Sequence, residues 1–155
     1  MQNILFVCTG NTCRSPMAEA LLKHKNKNVN VQSAGLFACR GGTANPNTVQ
    51  VLKEKGILCE HRTQQMNKTL AEWADLILTM TSSHKQMIHV EFPEYASKVH
   101  TFKQFLEEDK KSTGSFDISD PYGGSIETYR QTMLELETLV DKLIKKMNHI
   151  EREES

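Results

Sequence analysis

The apolar residues of this 155-residue chain fall into two kinds of run. Short continuous runs stand at Ile4-Leu5-Phe6-Val7 and within Asp75-Leu76-Ile77-Leu78-Thr79-Met80. A run of that length without alternation is the pattern of a parallel strand covered on both faces. Val29 and Val31 lead into a second strand through Gln32-Ser33-Ala34-Gly35, and residues 98–102 read as a shorter fourth. The other runs are spaced by three and four. Over residues 125–150, Ile126, Tyr129, Met133, Leu136, Val140, Leu143, Met147 and Ile150 form one stripe of a long helix. Met17, Leu21 and Leu22 mark a helix that opens at Ser15-Pro16, with serine as N-cap and proline in the first position. Asn45-Pro46 opens another, which carries Val49 and Leu52 and ends at Gly56. Residues 69–74 read as one helical turn, and 82–92 as a helix stopped by Pro93. Residues 61–68 and 107–119 are polar and read as loops, and 151–155 as a solvated end.

Strand and helix alternate four times, which predicts an α/β protein. The expectation is a single three-layer domain over residues 1–155, with a four-stranded parallel sheet and helices on both faces. Ligands of such sheets lie beyond the carboxyl ends of the strands. The loop after strand one is Cys8-Thr9-Gly10-Asn11-Thr12-Cys13-Arg14-Ser15, and a helix starts where it ends. Unpaired N–H groups at a helix start converge on one point, and the helix dipole adds positive charge there. The loop therefore reads as a phosphate-binding cradle.

That cradle opens with a thiol and closes with a guanidinium. Such a field favours the thiolate, the nucleophilic form of Cys8. The Arg14 fork can hold two phosphate oxygens at once. Ser15 can donate a hydroxyl hydrogen to the sulfur, beyond its plain role as N-cap. Gly10 and Asn11 are expected to supply the unusual backbone angles of a tight turn. A lone cysteine is more often a buried core residue, but its place at a strand end, in register with Arg14 and Ser15, favours the nucleophile. Asp120 precedes Pro121, so its backbone is extended, and Gly123-Gly124 follow. A carboxylic acid there can protonate a leaving group and afterwards activate water; the plain alternative is a turn aspartate before the last helix.

The net formal charge is zero, which argues against a nucleic-acid or membrane surface as partner. No apolar run approaches the ~20 residues of a membrane helix, and no leader is evident. The four cysteines, Cys8, Cys13, Cys39 and Cys59, are too few for a disulfide scaffold, and a free nucleophilic thiol suits a cytoplasmic compartment. They also lack a paired Cys-x2-Cys, and a tetrahedral zinc site would consume the nucleophile. No metal or cofactor is expected, because Arg14, the loop amides and Asp120 supply what a metal otherwise would. Cys39, Cys59 and the six histidines receive no function. Trp73, Tyr95 and Tyr129 read as structural, and Tyr122 as a wall of the cleft.

Val7-Cys8-Thr9-Gly10-Asn11-Thr12-Cys13-Arg14-Ser15-Pro16-Met17-Ala18-Glu19 resembles the signature of the low-molecular-weight protein tyrosine phosphatase family. The likeness continues through Ser33-Ala34-Gly35, residues 74–80 and Asp120-Pro121-Tyr122-Gly123-Gly124, so it covers essentially the whole chain. It implies that Cys8 attacks phosphorus, that Arg14 binds the phosphoryl oxygens, and that Asp120 protonates the leaving group. Thr9, Gly10, Asn11, Thr12, Cys13, Ser15 and Tyr122 then surround the substrate. It also implies a redox pair, with Cys13 trapping oxidised Cys8 as a disulfide. Tyrosine phosphatases of the family usually carry isoleucine or leucine where this chain has Thr12. A threonine there resembles the bacterial protein-arginine phosphatase branch. A guanidinium offers N–H donors in a flat fork, and Thr12 and Asp120 offer acceptors. One hydrogen bond to a charged group is worth roughly 1.5–3 kcal/mol, enough for tens-fold selectivity.

The expected activity is hydrolysis of phosphoarginine in proteins through a phosphocysteine intermediate, releasing inorganic phosphate, with the enzyme a monomer. A phosphotyrosine substrate is the alternative. Arsenate reduction on the same fold needs later cysteines, and this chain has none after Cys59. A binding module without catalysis has no use for an intact Cys8, Arg14 and Asp120.

Overall fold

The computed structural model describes residues 2–107 and 115–154. Four parallel strands, β1 (Asn3–Cys8), β2 (Asn30–Gly35), β3 (Leu76–Thr79) and β4 (Val99–Thr101), form one sheet in the order β2-β1-β3-β4. β1 is central. The chain leaves it first toward β2 and later returns to its other side as β3, which makes the carboxyl end of β1 the switch point where such sheets open a crevice.

The burial of β1 follows from its unbroken apolar run. Ile4, Phe6 and Cys8 turn to one face, and Leu5 and Val7 to the other. The first face is covered by α1 (Arg14–Lys25), α2 (Pro46–Glu54) and α6 (Ile126–Glu154), which contribute Met17, Leu21, Leu52, Tyr129 and Leu136. The second is covered by α3 (Lys68–Trp73) and α4 (Ser82–Glu91) through Leu70, Ala71 and Ile88. The α/β architecture with helices on both faces is thus as the apolar pattern predicts.

The stripe of α6 is buried from Tyr129 to Met147, joined by Leu139. The helix runs on through the expected solvated end, with residues 151–153 exposed. Two boundaries and one helix face differ from expectation. α1 begins at Arg14 with Cys13 in the capping position, so Ser15 is not the N-cap and Pro16 is not the first residue. The fourth strand is only three residues long, because Lys98 ends a 3-10 turn (Pro93–Lys98) and the Thr101 hydroxyl caps α5 (Phe102–Leu106) by accepting from Gln104 N at 3.1 Å. In α2 the inward residues are Thr48, Val51 and Leu52, whereas Val49 is exposed. The loop expected over residues 107–119 lies partly outside the described residues. Its described end is not wholly exposed, since Ile118 is buried and its N–H donates to Met80 O at 2.9 Å.

β2 ends against the loop that follows β1. A Cβ added at Gly35 would lie 2.5 Å from Thr9 O and 2.9 Å from Asn11 N. Backbone atoms cannot yield as a side chain does, so Gly35→Ala is expected to destabilise the fold by about 1–3 kcal/mol. Chemical denaturation measures this, and an unchanged midpoint contradicts the close approach.

Candidate active site

The loop from Cys8 to Ser15 is shaped by what its carbonyls are bonded to. Leu36 N donates to Cys8 O at 3.0 Å and Phe37 N to Thr9 O at 2.9 Å. His61 Nε2 donates to Asn11 O at 2.8 Å. Asn45 N and Thr48 Oγ1 both donate to Thr12 O, at 3.0 and 2.9 Å. Met17 N donates to Cys13 O at 3.1 Å. In a trans peptide the N–H points away from the C=O. Carbonyls committed outward leave the amide edge of the loop turned inward, the geometry of an anion cradle.

Asn11 carries the turn. Its φ of 60° is left-handed, which asparagine tolerates better than most residues. Fully buried, its side chain donates to Ser15 Oγ and Ser33 Oγ, each at 2.9 Å, and accepts from Gln64 N at 2.9 Å. Gly10 is not left-handed, contrary to expectation, and a Cβ there would meet only Thr12 Oγ1 at 3.7 Å. The left-handed angle therefore belongs to Asn11 alone in this loop.

Cys8 Sγ lies 2.9 Å from Ser15 Oγ. Because Ser15 accepts from Asn11, its own hydrogen is free to point at the sulfur, the bond a thiolate accepts. Displaced from the N-cap, Ser15 faces the Cys8 sulfur from the second position of α1. Arg14 is buried, donates through Nη1 to Ile118 O at 3.0 Å, and reaches Asp120 Oδ2 from Nη2 at 3.5 Å. Asp120 is half exposed, and its Oδ1 accepts from Tyr122 N at 3.1 Å. Cys8, Thr9, Gly10, Thr12, Cys13, Arg14, Asp120 and Tyr122 line one cavity of about 260 Å³. The loop after β1 thus meets Asp120 and Tyr122, while buried Asn11 and Ser15 do not line the cavity. Cys39 is exposed and Cys59 half-buried, and neither lines the cavity.

Two histidines that the sequence left without a role brace the loop. His61 holds Asn11, and its Nδ1 lies 3.9 Å from Glu19 Oε1. His84 Nε2 sits 2.9 Å from Thr9 Oγ1, with its Nδ1 buried and unpartnered. Burial, then the Arg14 guanidinium, pull the His84 ring down to about 4. Nothing in the local sequence around either histidine signals these bonds, because both partners are more than forty residues away.

Thiol, guanidinium and carboxylate around an amide-lined cradle, at the switch point of a parallel sheet, define a phosphate-handling enzyme site. The chain belongs to the low molecular weight phosphotyrosine protein phosphatase family, whose model matches residues 3–154. It is 52% identical over 145 residues to a protein-arginine-phosphatase of Geobacillus stearothermophilus, covering 93% of this chain and 95% of that one. The solved YwlE arginine phosphatase of the same organism superposes with a TM-score of 0.93 at 49% identity, covering 100% of this chain and 98% of that one. A cysteine-to-serine mutant of YwlE arginine phosphatase with phosphorylated active site serine superposes with a TM-score of 0.88 at 47% identity, covering 94% and 95%.

The neutral ring of His84 makes stability depend on pH. The unfolded chain binds a proton near the ordinary 6.5, and the folded chain only near 4. Stability is complete above 6.5 and is lost as pH falls from 6.5 toward 4, with Asp117 and Asp120 partly offsetting the loss. Lowering the pH from 7 to 5 is expected to cost roughly 2 kcal/mol from this group. Denaturant titrations of wild type and His84→Asn at both pH values measure it; equal pH sensitivity in the two proteins refutes the assignment.

Proposed function

We propose that this protein is a protein-arginine phosphatase that works through a phosphocysteine. The observation that carries the reading is Thr12, which lines the cavity together with Cys8 and Asp120 where an apolar side chain would suit an aryl ring. The naming of its 52% identical relative supports it.

In the proposed reaction the phosphoryl group lies in the cradle, its oxygens on the loop amides and the Arg14 fork. Cys8 Sγ, as thiolate, attacks phosphorus. The P–N bond breaks, its electron pair stays on the guanidine nitrogen, and Asp120 in its acid form delivers a proton there. Water then attacks the phosphocysteine, Asp120 takes its proton, and the P–S bond breaks to return the thiolate and inorganic phosphate. Ser15 stabilises the sulfur anion in both half-reactions. A related enzyme with serine for the cysteine carries phosphate on that serine, which supports Cys8 as the attacking atom. Thr12 and Asp120 would accept the guanidinium N–H groups of the substrate. Cys13, on the same cavity, would close a disulfide with Cys8 after oxidation of the nucleophile.

A phosphotyrosine substrate is the second reading, and Tyr122 favours it. Its ring is 74% exposed at the rim of the cavity, where it could stack on an aryl group.

Rates on a phosphoarginine and a phosphotyrosine peptide, measured side by side, separate the two. We expect kcat/KM to favour phosphoarginine by at least tenfold, and a preference for phosphotyrosine refutes the arginine reading. Cys8→Ser is expected to lower turnover of either substrate at least a thousandfold; phosphate release near the wild-type rate would remove the nucleophile from the scheme. Thr12→Ile is expected to shift the preference ratio at least tenfold toward phosphotyrosine, as loss of a charged hydrogen bond worth roughly 1.5–3 kcal/mol implies. An unchanged ratio ends the role given to Thr12.

A further inference from the structure

Tyr129 stands beneath the cradle with its hydroxyl 3.3 Å from Cys13 Sγ. It is 1% exposed. Cys13 Sγ in turn lies 3.5 Å from Thr12 Oγ1. Among the described residues the phenol has no other hydrogen-bond partner. The direction of this chain can be assigned from the donor inventory. Were the Cys13 S–H to donate to the phenol oxygen, the phenol hydrogen would be buried with no acceptor, an expensive arrangement. Tyr129 therefore donates to Cys13 Sγ. Burial, reinforced by that bond, pushes the phenol well above its ordinary value, so it keeps its proton. The Cys13 S–H is then left with Thr12 Oγ1 as its acceptor. A threonine hydroxyl on a loop is otherwise free to rotate. Here Cys13, its neighbour on the cavity wall, takes one of its lone pairs, which leaves the other for a donor of the substrate.

We infer that Tyr129 is a positioning residue for substrate choice: through Cys13 it holds the Thr12 hydroxyl so that the oxygen presents a lone pair to a guanidinium N–H of the substrate. This rests on the proposed arginine specificity. It deepens that reading by locating one determinant of it in α6, outside the cavity lining. The main chain of Thr12 is held separately, by Asn45 and Thr48, so loss of the relay frees the side chain without dislodging the loop.

The test is the ratio of kcat/KM on a phosphoarginine peptide to that on a phosphotyrosine peptide. Tyr129→Phe deletes only the hydroxyl, and it is expected to lower the ratio at least threefold. Cys13→Ala breaks the same chain at its middle and is expected to lower the ratio to a similar degree, so the test stands even if the buried helix tolerates the phenylalanine poorly. In a Thr12→Val background, which has no hydroxyl to orient, Tyr129→Phe is expected to change the ratio less than 1.5-fold. This non-additivity is the signature of a relay, and a merely structural tyrosine would lack it. An unchanged ratio in Tyr129→Phe and Cys13→Ala, or a full effect of Tyr129→Phe in the Thr12→Val background, overturns the relay alone when the wild type prefers phosphoarginine. A wild type that prefers phosphotyrosine overturns the arginine reading and the relay with it.

Discussion

The buried amide of Asn11 is the constraint on which the site depends. It bonds Ser15 at the start of α1, Ser33 on β2 and the backbone of Gln64, while its carbonyl takes a bond from His61. The start of α1, the end of β2 and the segment carrying His61 and Gln64 are thereby fixed to one residue of one loop. The left-handed backbone of Asn11 is mildly unfavourable by itself. It persists because bonds from every side define it, as backbone strain at a working site requires. Its bond to Ser15 also sets the direction of the serine hydroxyl, so the amide that shapes the cradle orients the group that faces the sulfur.

The sheet decides where that constraint can be met. Parallel strands bring their carboxyl ends to one edge, and β1 is an interior strand, paired with β2 on one side and β3 on the other. The loop leaving it is therefore flanked by the segments that follow β2 and β3. Those segments supply Leu36 and Phe37 from one side and Thr81 to His84 from the other. A cradle built after an edge strand would have one such wall. The cavity is completed by the chain before α6, which carries Asp120 across to Arg14. Ile118 anchors that segment twice, by its N–H to Met80 and its carbonyl to Arg14.

What the sequence made legible follows from how local each signal is. Continuous apolar runs and three-four spacing are local, and they led to β1, β3 and α6 directly. The Cys8 to Ser15 loop is also local, since thiol, guanidinium and helix start lie within eight consecutive residues. The failures are failures of local rules. Ser15-Pro16 has the pattern of a helix cap, but Ser15 is claimed by Cys8 and Asn11, and the helix begins earlier. Gly10 has the composition of a strained turn, but Asn11 takes the strain. Val49 stands at a helical spacing yet is exposed, because Thr48 is drawn inward by the Thr12 carbonyl. His61 and His84 were illegible because each acquires its partner only through the fold. The place of Tyr129 in the stripe predicts a structural role. Its burial agrees, but its hydroxyl end meets a sulfur more than a hundred residues away.

These observations separate two tasks within one loop. In the proposed reaction, holding the phosphoryl group is the work of the loop amides and the Arg14 fork, which are blind to what the phosphorus is attached to. Choosing the leaving group in that reaction falls to side chains of the cavity, and Thr12, Asp120 and Tyr122 are among those that line it. The main chain of Thr12 is tied to α2 and its side chain, through Cys13, to α6. Substitution of that side chain therefore need not disturb the bonds that fix the cradle. A frame divided this way can keep one chemistry while its substrate changes, since function is set by the groups placed on a fold rather than by the fold itself.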